Sequence, residues 1–307
     1  MAKIVFMGTP AFALPSLTAL VGSHQVAGVV TQPDRRAGRS RRLRESPVKA
    51  LAREAGLPLI QPERIREDAA IRALRSWAAD LHVVVAYGQI LPQSLLDLPR
   101  YGTVNVHASL LPRWRGAAPI QAAIRAGDCE SGATIMLLDA GLDTGPLLAK
   151  RALPLAPDET GQSLHDKLSR LGADLLVETL PRYLSGEIEP QEQDDSQATY
   201  APRIKKEEGR IDWTCSAQSI ECMVRAFTPW PGAYTCWSGA QLRILAGYQG
   251  AGRAEAGQVI EMDGNIAIGT GDGLYFPTAL QLPGKRRLRV AEFVNGYHDF
   301  ASALLDR

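Results

Sequence analysis

Cysteine is scarce: only Cys129, Cys215, Cys222 and Cys236 occur, with no C-x-x-C pair and no metal-ligand spacing to histidine. They read as buried free thiols of a reducing compartment. No apolar run reaches membrane-spanning length. The N-terminus enters a short apolar strand at residues 4–7 rather than a signal peptide, so the expected location is cytoplasmic, with no membrane partner. Charge of one sign is also lacking. The net charge is +1, and a polyanionic partner would have to be met by local patches. The first glycine turn, Gly8-Thr9-Pro10, does not complete G-x-G-x-x-G, which argues against a dinucleotide site. No internal repeat and no low-complexity tract interrupts the chain. What remains is an ordinary globular composition, 45% hydrophobic and 22% charged, over 307 residues, a length that suits two domains.

Strand and helix patterns alternate through the first part of the chain. Strand-like stretches at residues 4–7, 26–30, 57–60, 81–86, 103–106 and 133–138 are separated by helical faces such as Val48, Leu51, Ala52 and Ala55, or Ile71, Leu74, Trp77 and Ala78. A further helix burying Leu164, Leu168, Leu171 and Leu175 takes Ser163 as its cap. Such alternation predicts an α/β, Rossmann-like domain with a mostly parallel sheet over residues 1–188. Residues 189–200 are polar, acidic and aperiodic, and with the mixed charges that follow they read as a linker over 189–207. After one helix the pattern becomes five short strands at 233–238, 241–246, 258–262, 265–270 and 274–277, divided by Ser-Gly and Asp-Gly turns. A small β-barrel of OB-like type is expected over 208–307.

Chemistry concentrates at residues 105–116. Asn105 and His107 share one side of a strand, and Pro112 ends it, so an amide and an imidazole meet at the carboxyl end, where open α/β sheets bind ligands. Both can donate to an oxyanion, and Asp143, in a tight loop after another strand, can hold an imidazolium or take a proton from an attacking amine. Asp139 is its rival; its place at the strand end suits it to backbone groups of the turn. Ser109 lacks a G-x-S-x-G setting and is given a hydrogen-bonding role rather than a nucleophilic one. The irregular stretch Tyr87, Gly88, Gln89, Ile90 and Leu91, at the same sheet edge, offers backbone to a flat heterocycle or is a plain turn. Six of the ten residues from 35 to 44 are arginine, in a run with Gly38 and Ser40 that reads as a mobile loop and an electrostatic footprint for phosphates. A second basic cluster, Lys285, Arg286 and Arg287, lies in the C-terminal part.

Asn105-Val106-His107 with Ser109-Leu110-Leu111-Pro112, Arg115-Gly116 and Pro119-Ile120, followed by Gly141-Leu142-Asp143-Thr144-Gly145, resembles the folate-dependent formyltransferases. Gly8-Thr9-Pro10, Gln32-Pro33-Asp34, Ser46-Pro47-Val48-Lys49, Val85-Ala86-Tyr87-Gly88, Arg210-Ile211-Asp212-Trp213 and Pro229-Trp230-Pro231 extend the likeness to the branch that acts on a charged tRNA. The resemblance covers essentially the whole chain. It implies 10-formyltetrahydrofolate as co-substrate and initiator methionyl-tRNA as partner, with Asn105, His107 and Asp143 as the catalytic trio; apart from the resemblance, no metal is expected, and with nothing in the sequence suggesting an obligate interface the protein is expected to be a monomer. Tyr87, Gly88, Gln89, Ile90, Leu91, Ser109, Leu110, Leu111, Pro112, Asp139 and Asp143 would then hold the folate. Arg35, Arg36, Arg39, Arg41, Arg42, Lys205, Lys206, Lys285, Arg286 and Arg287 would contact the tRNA, Arg39 and Arg41 foremost. Ala108 stands where family members often have glycine, and the loop is richer in arginine than the lysine-containing versions. Two other readings are formylation of a sugar or other small amine on the same scaffold, and a noncatalytic RNA-binding protein. The arginine run and the residues after Tyr200 speak against the first, and the intact trio against the second.

Overall fold

Residues 3–8 and 81–85 are apolar at nearly every position, as strands covered on both faces must be, and they pair in parallel near the middle of a seven-stranded sheet. The computed structural model describes residues 1–37 and 42–306, and of Arg36, Ala37 and Arg42 only the backbone. Its internal contacts divide into two units: residues 1–119, 130–154 and 165–201, and residues 120–129, 155–164 and 202–307.

The first unit begins β1 (Lys3–Gly8), α1 (Leu14–Ser23) and β2 (Gln25–Val30). A ribbon of β3 (Arg35–Ala37) and β4 (Arg42–Arg44) follows, then α2 (Pro47–Glu54), β5 (Leu59–Ile60), α3 (Asp68–Trp77) and β6 (Leu81–Val85). Next come α4 (Gln93–Leu96), β7 (Thr103–His107) and β8 (Arg115–Gly116), then α5 (Pro119–Arg125), which past its first residue belongs to the second unit, and then β9 (Glu130–Leu137), β10 (Leu147–Pro154), α6 (Gly161–Leu184), whose first four residues belong to the second unit, and β11 (Tyr200–Ala201). The sheet order is β10-β9-β7-β6-β1-β2-β5. Its pairings are parallel from β5 through to β7 and antiparallel at β9 and β10, which gives the mostly parallel sheet expected. Strand β10 went unread in the sequence because Lys150 and Arg151 interrupt its apolar run.

Two local readings are corrected. Helix α6 begins at Gly161, and Thr160, not Ser163, caps it: Ser163 N–H donates to Thr160 Oγ1 at 3.1 Å and Thr160 N–H donates to Ser163 Oγ at 2.9 Å. The arginine run, read as an irregular loop, has its flanks paired as the β3–β4 ribbon, Arg35 opposite Arg44. Arg39 and Arg41 lie outside the described residues. The ribbon's base is tied down, since Asp34 accepts from Lys49 Nζ at 2.6 Å and from Gln61 Nε2 at 2.8 Å. The Lys49 contact first, then Gln61, holds the Asp34 carboxyl below the usual carboxylate range.

In the second unit α7 (Ala217–Ala226) precedes β12 (Ala233–Trp237), β13 (Ala240–Gly250), β14 (Val259–Met262), β15 (Asn265–Gly269), β16 (Leu274–Gln281), β17 (Leu288–Arg289) and α8 (Val290–Gly296). The strands form an antiparallel sheet, order β12-β13-β16-β15-β14, with β17 beside β16; no ladder among the described residues joins β12 to β14 and closes a barrel. Trp213 is fully buried under it and donates from Nε1 to Thr235 Oγ1 at 3.1 Å. The cysteines are free as expected, but only Cys222 is buried; Cys129 and Cys215 are exposed. No helix among the described residues is long and apolar enough to cross a membrane, and no acidic, histidine or cysteine group among them would hold a metal.

Candidate active site

Asn105 and His107 are the third and last residues of β7, both almost fully buried in a strand where every position is covered. Among the described residues nothing hydrogen-bonds the Asn105 carboxamide, and neither of its polar atoms is sealed from solvent. A buried amide left without a partner costs stability unless water or a ligand satisfies it. His107 is held more firmly. Its Nε2 lies 3.0 Å from the Trp114 carbonyl, which can only accept, so Nε2 carries a proton. Nδ1 is the ring nitrogen left without that partner, and it faces Asp143 Oδ2 at 3.7 Å. Any proton the imidazole lends to an oxyanion comes from Nδ1.

The route by which Asp143 reaches this point differs from the expectation. The sequence pattern puts its loop at the same sheet edge as His107. However, β9 is antiparallel to β7, with Leu137 opposite Val104 and Thr134 opposite His107. The loop after β9 thus leaves beside the start of β7 and must double back by about 10 Å, three residues of strand, to bring Asp143 to the imidazole. Asp143 turns with φ +53° and is half-buried, and its Oδ2 accepts from Gly116 N–H at 2.8 Å. Asp139 caps the turn as expected, accepting from Gly141 N–H at 3.0 Å and from Thr144 Oγ1 at 2.8 Å.

The loop after β7 is packed rather than open. Ser109, 1% exposed, donates from Oγ to the Arg113 carbonyl at 2.6 Å, and its own carbonyl accepts from buried Thr134 at 2.6 Å. Leu111 is sealed in a small core with Met136 and Leu147, and Leu110 lies against Gly132. Their side chains are thus committed to packing, as is that of Tyr87, whose burial raises its phenol far above the usual range. Gln89 accepts from Ile65 N–H at 2.8 Å and donates to the Pro62 carbonyl at 3.2 Å, so its amide serves the neighbouring loop. The Tyr87 carbonyl receives Thr9 Oγ1 at 2.9 Å. Of the stretch from Tyr87 to Leu91, the backbone at Gly88 (φ +87°) and the side chain of Ile90, 94% exposed, remain available to a flat ring, and Leu142 offers a second exposed apolar side chain. Leu91 is buried in the core and Pro112 half-buried.

Of the basic residues singled out, Arg35, Lys205, Lys206, Lys285, Arg286 and Arg287 are all exposed. Arg35 donates to Gln32 Oε1 at 3.2 Å. In the second unit Arg287 and Arg289 line a cleft of about 390 Å³ beside Tyr248, whose ring stacks on Phe276 with centroids 5.1 Å apart.

Residues 191–201 were missing from the sequence reading of the site, and the described chain ties them to it. Gln191 pairs with Leu147, Thr199 Oγ1 accepts from Trp114 N–H at 2.9 Å, and β11 pairs with β8 in parallel. Arg115, 1% exposed, donates to Gln193 Oε1 at 2.9 Å and to Asp195 Oδ1 at 2.7 Å. Burial opposes its charge, but the contacts with Asp195 and Tyr200 outweigh it and hold the guanidinium protonated. Local pattern gives no sign of these contacts, since all join residues distant in sequence, those to Trp114 and Arg115 about 80 apart; the one available signal was an acid-and-amide stretch with no compensating base of its own.

Residues 2–180 match the formyl transferase family and residues 203–298 the formyl transferase C-terminal domain. The chain is 48% identical over 297 residues to methionyl-tRNA formyltransferase of Geobacter sulfurreducens, covering 96% of this chain and 94% of the relative. It is 49% identical over 296 residues to that of Pseudomonas paraeruginosa, covering 95% of each. Among solved structures, the N-formyltransferase from Helicobacter canadensis, in complex with folinic acid and dTDP-3-aminofucose, superposes with a TM-score of 0.66 at 18% identity, over 90% of this chain and 98% of that one. That likeness is one of fold.

Proposed function

This chain belongs to the formyl transferase family, and on that premise we propose that it transfers the formyl group of 10-formyltetrahydrofolate to the α-amine of initiator methionyl-tRNA, in the cytoplasm, where that tRNA is charged. Identity near one half over almost the full length of enzymes named for that reaction supports the substrates. The observation that supports the chemistry is the approach of His107 Nδ1 to Asp143 Oδ2 at 3.7 Å, with buried Asn105 two residues before His107 on the same strand.

The bound folate supplies a formyl carbon open to attack by an amine. The unpartnered Asn105 carboxamide donates to the formyl oxygen as negative charge grows there, a bond stronger in the transition state than in the ground state. His107, with Nε2 held by the Trp114 carbonyl, presents Nδ1–H to the same oxygen placed between it and Asp143, and the Asp143 carboxylate at 3.7 Å balances the imidazolium charge. The distance leaves Asp143 Oδ2 able to take, through water, the proton the amine loses on forming its new C–N bond. That proton ends on the departing N10 as the old C–N bond breaks. Exposed Ile90 and Leu142, with the backbone around Gly88, fit the face and edge of the pterin. The arginine ribbon and the basic residues of the second unit, Lys285, Arg286 and Arg287 among them, neutralise tRNA phosphates.

A formylation assay with labelled donor tests the assignment, offering initiator methionyl-tRNA and a nucleotide-linked amino sugar as rival acceptors. Label on the aminoacyl-tRNA alone is expected; label on the sugar with none on tRNA would overturn it.

A further inference from the structure

Gln193 lies in the stretch read from the sequence as a linker, yet its side-chain amide makes every hydrogen bond available to it. Its Oε1 accepts from Arg115 Nε at 3.1 Å and Nη2 at 2.9 Å, and its Nε2 donates to the carbonyls of Asp143 at 2.9 Å and Gly145 at 2.8 Å. One planar group thus ties the buried Arg115 guanidinium to the backbone of the loop that carries Asp143. The same aspartate is held from its other end, since Oδ2 accepts from Gly116, the residue after Arg115. Gly116 is itself fixed by pairing with Ala201, a few residues beyond Gln193. Asp143 has φ +53°, a left-handed turn conformation that aspartate tolerates better than most residues. The loop has doubled back from the far end of β7 and is braced within itself by Asp139, which accepts from Gly141 and Thr144; the bonds from Gln193 and Gly116 fasten it to the segment around Arg115 and so bear on where the carboxylate stands.

We infer that Gln193 is a positioning residue for formyl transfer, holding the Asp143 carboxylate against His107 by anchoring the Asp143 and Gly145 carbonyls to Arg115; the inference rests on the role given to Asp143 above. The two halves of the amide do different work. Oε1 satisfies a buried cation, a structural duty that Asp195 shares. The Nε2 donors act on the loop, and nothing else on Gln193 can replace them.

Gln193→Glu separates the two. It keeps acceptors for Arg115 and adds charge complementarity, but presents a carboxylate to two carbonyls it can no longer hold. Gln193→Met, of similar length, removes both sets of bonds and serves as the second variant. Rapid-quench formylation of methionyl-tRNA is measured for wild type, Q193E, Q193M, D143N and D143N/Q193E. We expect kcat to fall on the order of 10²-fold in Q193E and Q193M, the scale of an ångström of misplacement, with KM for both substrates near wild type. In the D143N background Q193E should cost less than about threefold more, because the group it positions is already disabled. Wild-type kcat in Q193E beside a slow D143N, or losses that multiply in the double variant, would overturn the clamp and leave the Asp143 assignment standing. Wild-type kcat in D143N would remove that assignment, and the clamp with it.

Discussion

His107 Nδ1 and Asp143 Oδ2 stand 3.7 Å apart although the strand register sends their chain segments toward opposite ends of β7. The gap is longer than a hydrogen bond, so neither group exhausts the other. Both remain free to act on a third party, which suits a site that must steady an oxyanion and move a proton in one event. Backbone groups on either side maintain the separation: the Trp114 carbonyl on Nε2, and the Gly116 amide on Oδ2.

Asn105→Ala should lower kcat by about 10²-fold or more, as loss of one oxyanion donor does, while binding of both substrates changes little. Steady-state kinetics with each substrate varied check this. Turnover near wild type would take Asn105 out of that role.

Replacing Arg39, Arg41 and Arg42 together with alanine should weaken tRNA binding and reduce the slope of log K against log salt by roughly 0.9 for each phosphate no longer neutralised. Filter binding across a salt series, with folate affinity measured beside it, reads both quantities. A fall in folate affinity with tRNA binding intact would contradict the assignment of the loop.

Gly116→Ala should damage both the fold and the site. A Cβ there would stand 2.7 Å from the Ala201 carbonyl, at a φ of +111° that L residues rarely adopt. About 1–3 kcal/mol of stability should be lost, read by urea unfolding, and turnover should fall because the Gly116 amide shifts from Asp143. Unchanged unfolding would show that the β8–β11 pairing yields more easily than its geometry implies.

His82 is buried in β6 with Nδ1 unpartnered, and burial pulls its pKa down to about 4 despite an opposing backbone hydrogen bond at Leu95. The unfolded chain, titrating near 6.5, binds the proton first. Its contribution to stability is therefore whole above pH 6.5 and is lost as pH falls toward 4, by about 3 kcal/mol in all. Urea midpoints from pH 7 to pH 4 should fall more steeply for wild type than for His82→Leu. Parallel curves would remove His82 as the source.

The parallel half of the sheet was readable because β1, β2 and β6 are short apolar runs that can exist only with both faces covered. Asn105, His107 and Asp143 were readable as candidates because they are polar residues within a buried strand, at its end and in a tight loop, where packing has little use for them. The return path of the Asp143 loop was not, because strand direction depends on partners distant in sequence and β9 carries no local mark of being antiparallel. Residues 191–201 were hidden for the same reason. Gln193 and Asp195 look like solvated linker until Arg115, some 80 positions earlier, is placed beside them. A buried arginine in Trp114-Arg115-Gly116 demanded an acid, but nothing in the chain order named which one.

The most direct measurement of the central claim is the single-turnover rate at which enzyme saturated with labelled 10-formyltetrahydrofolate and initiator methionyl-tRNA places label on the α-amine, compared between wild type and His107→Asn. The rate should drop on the order of 10²-fold or more in the variant, with both substrates still bound at wild-type affinity. An undiminished rate in His107→Asn would mean that the one-carbon unit moves somewhere other than beside Asn105, His107 and Asp143.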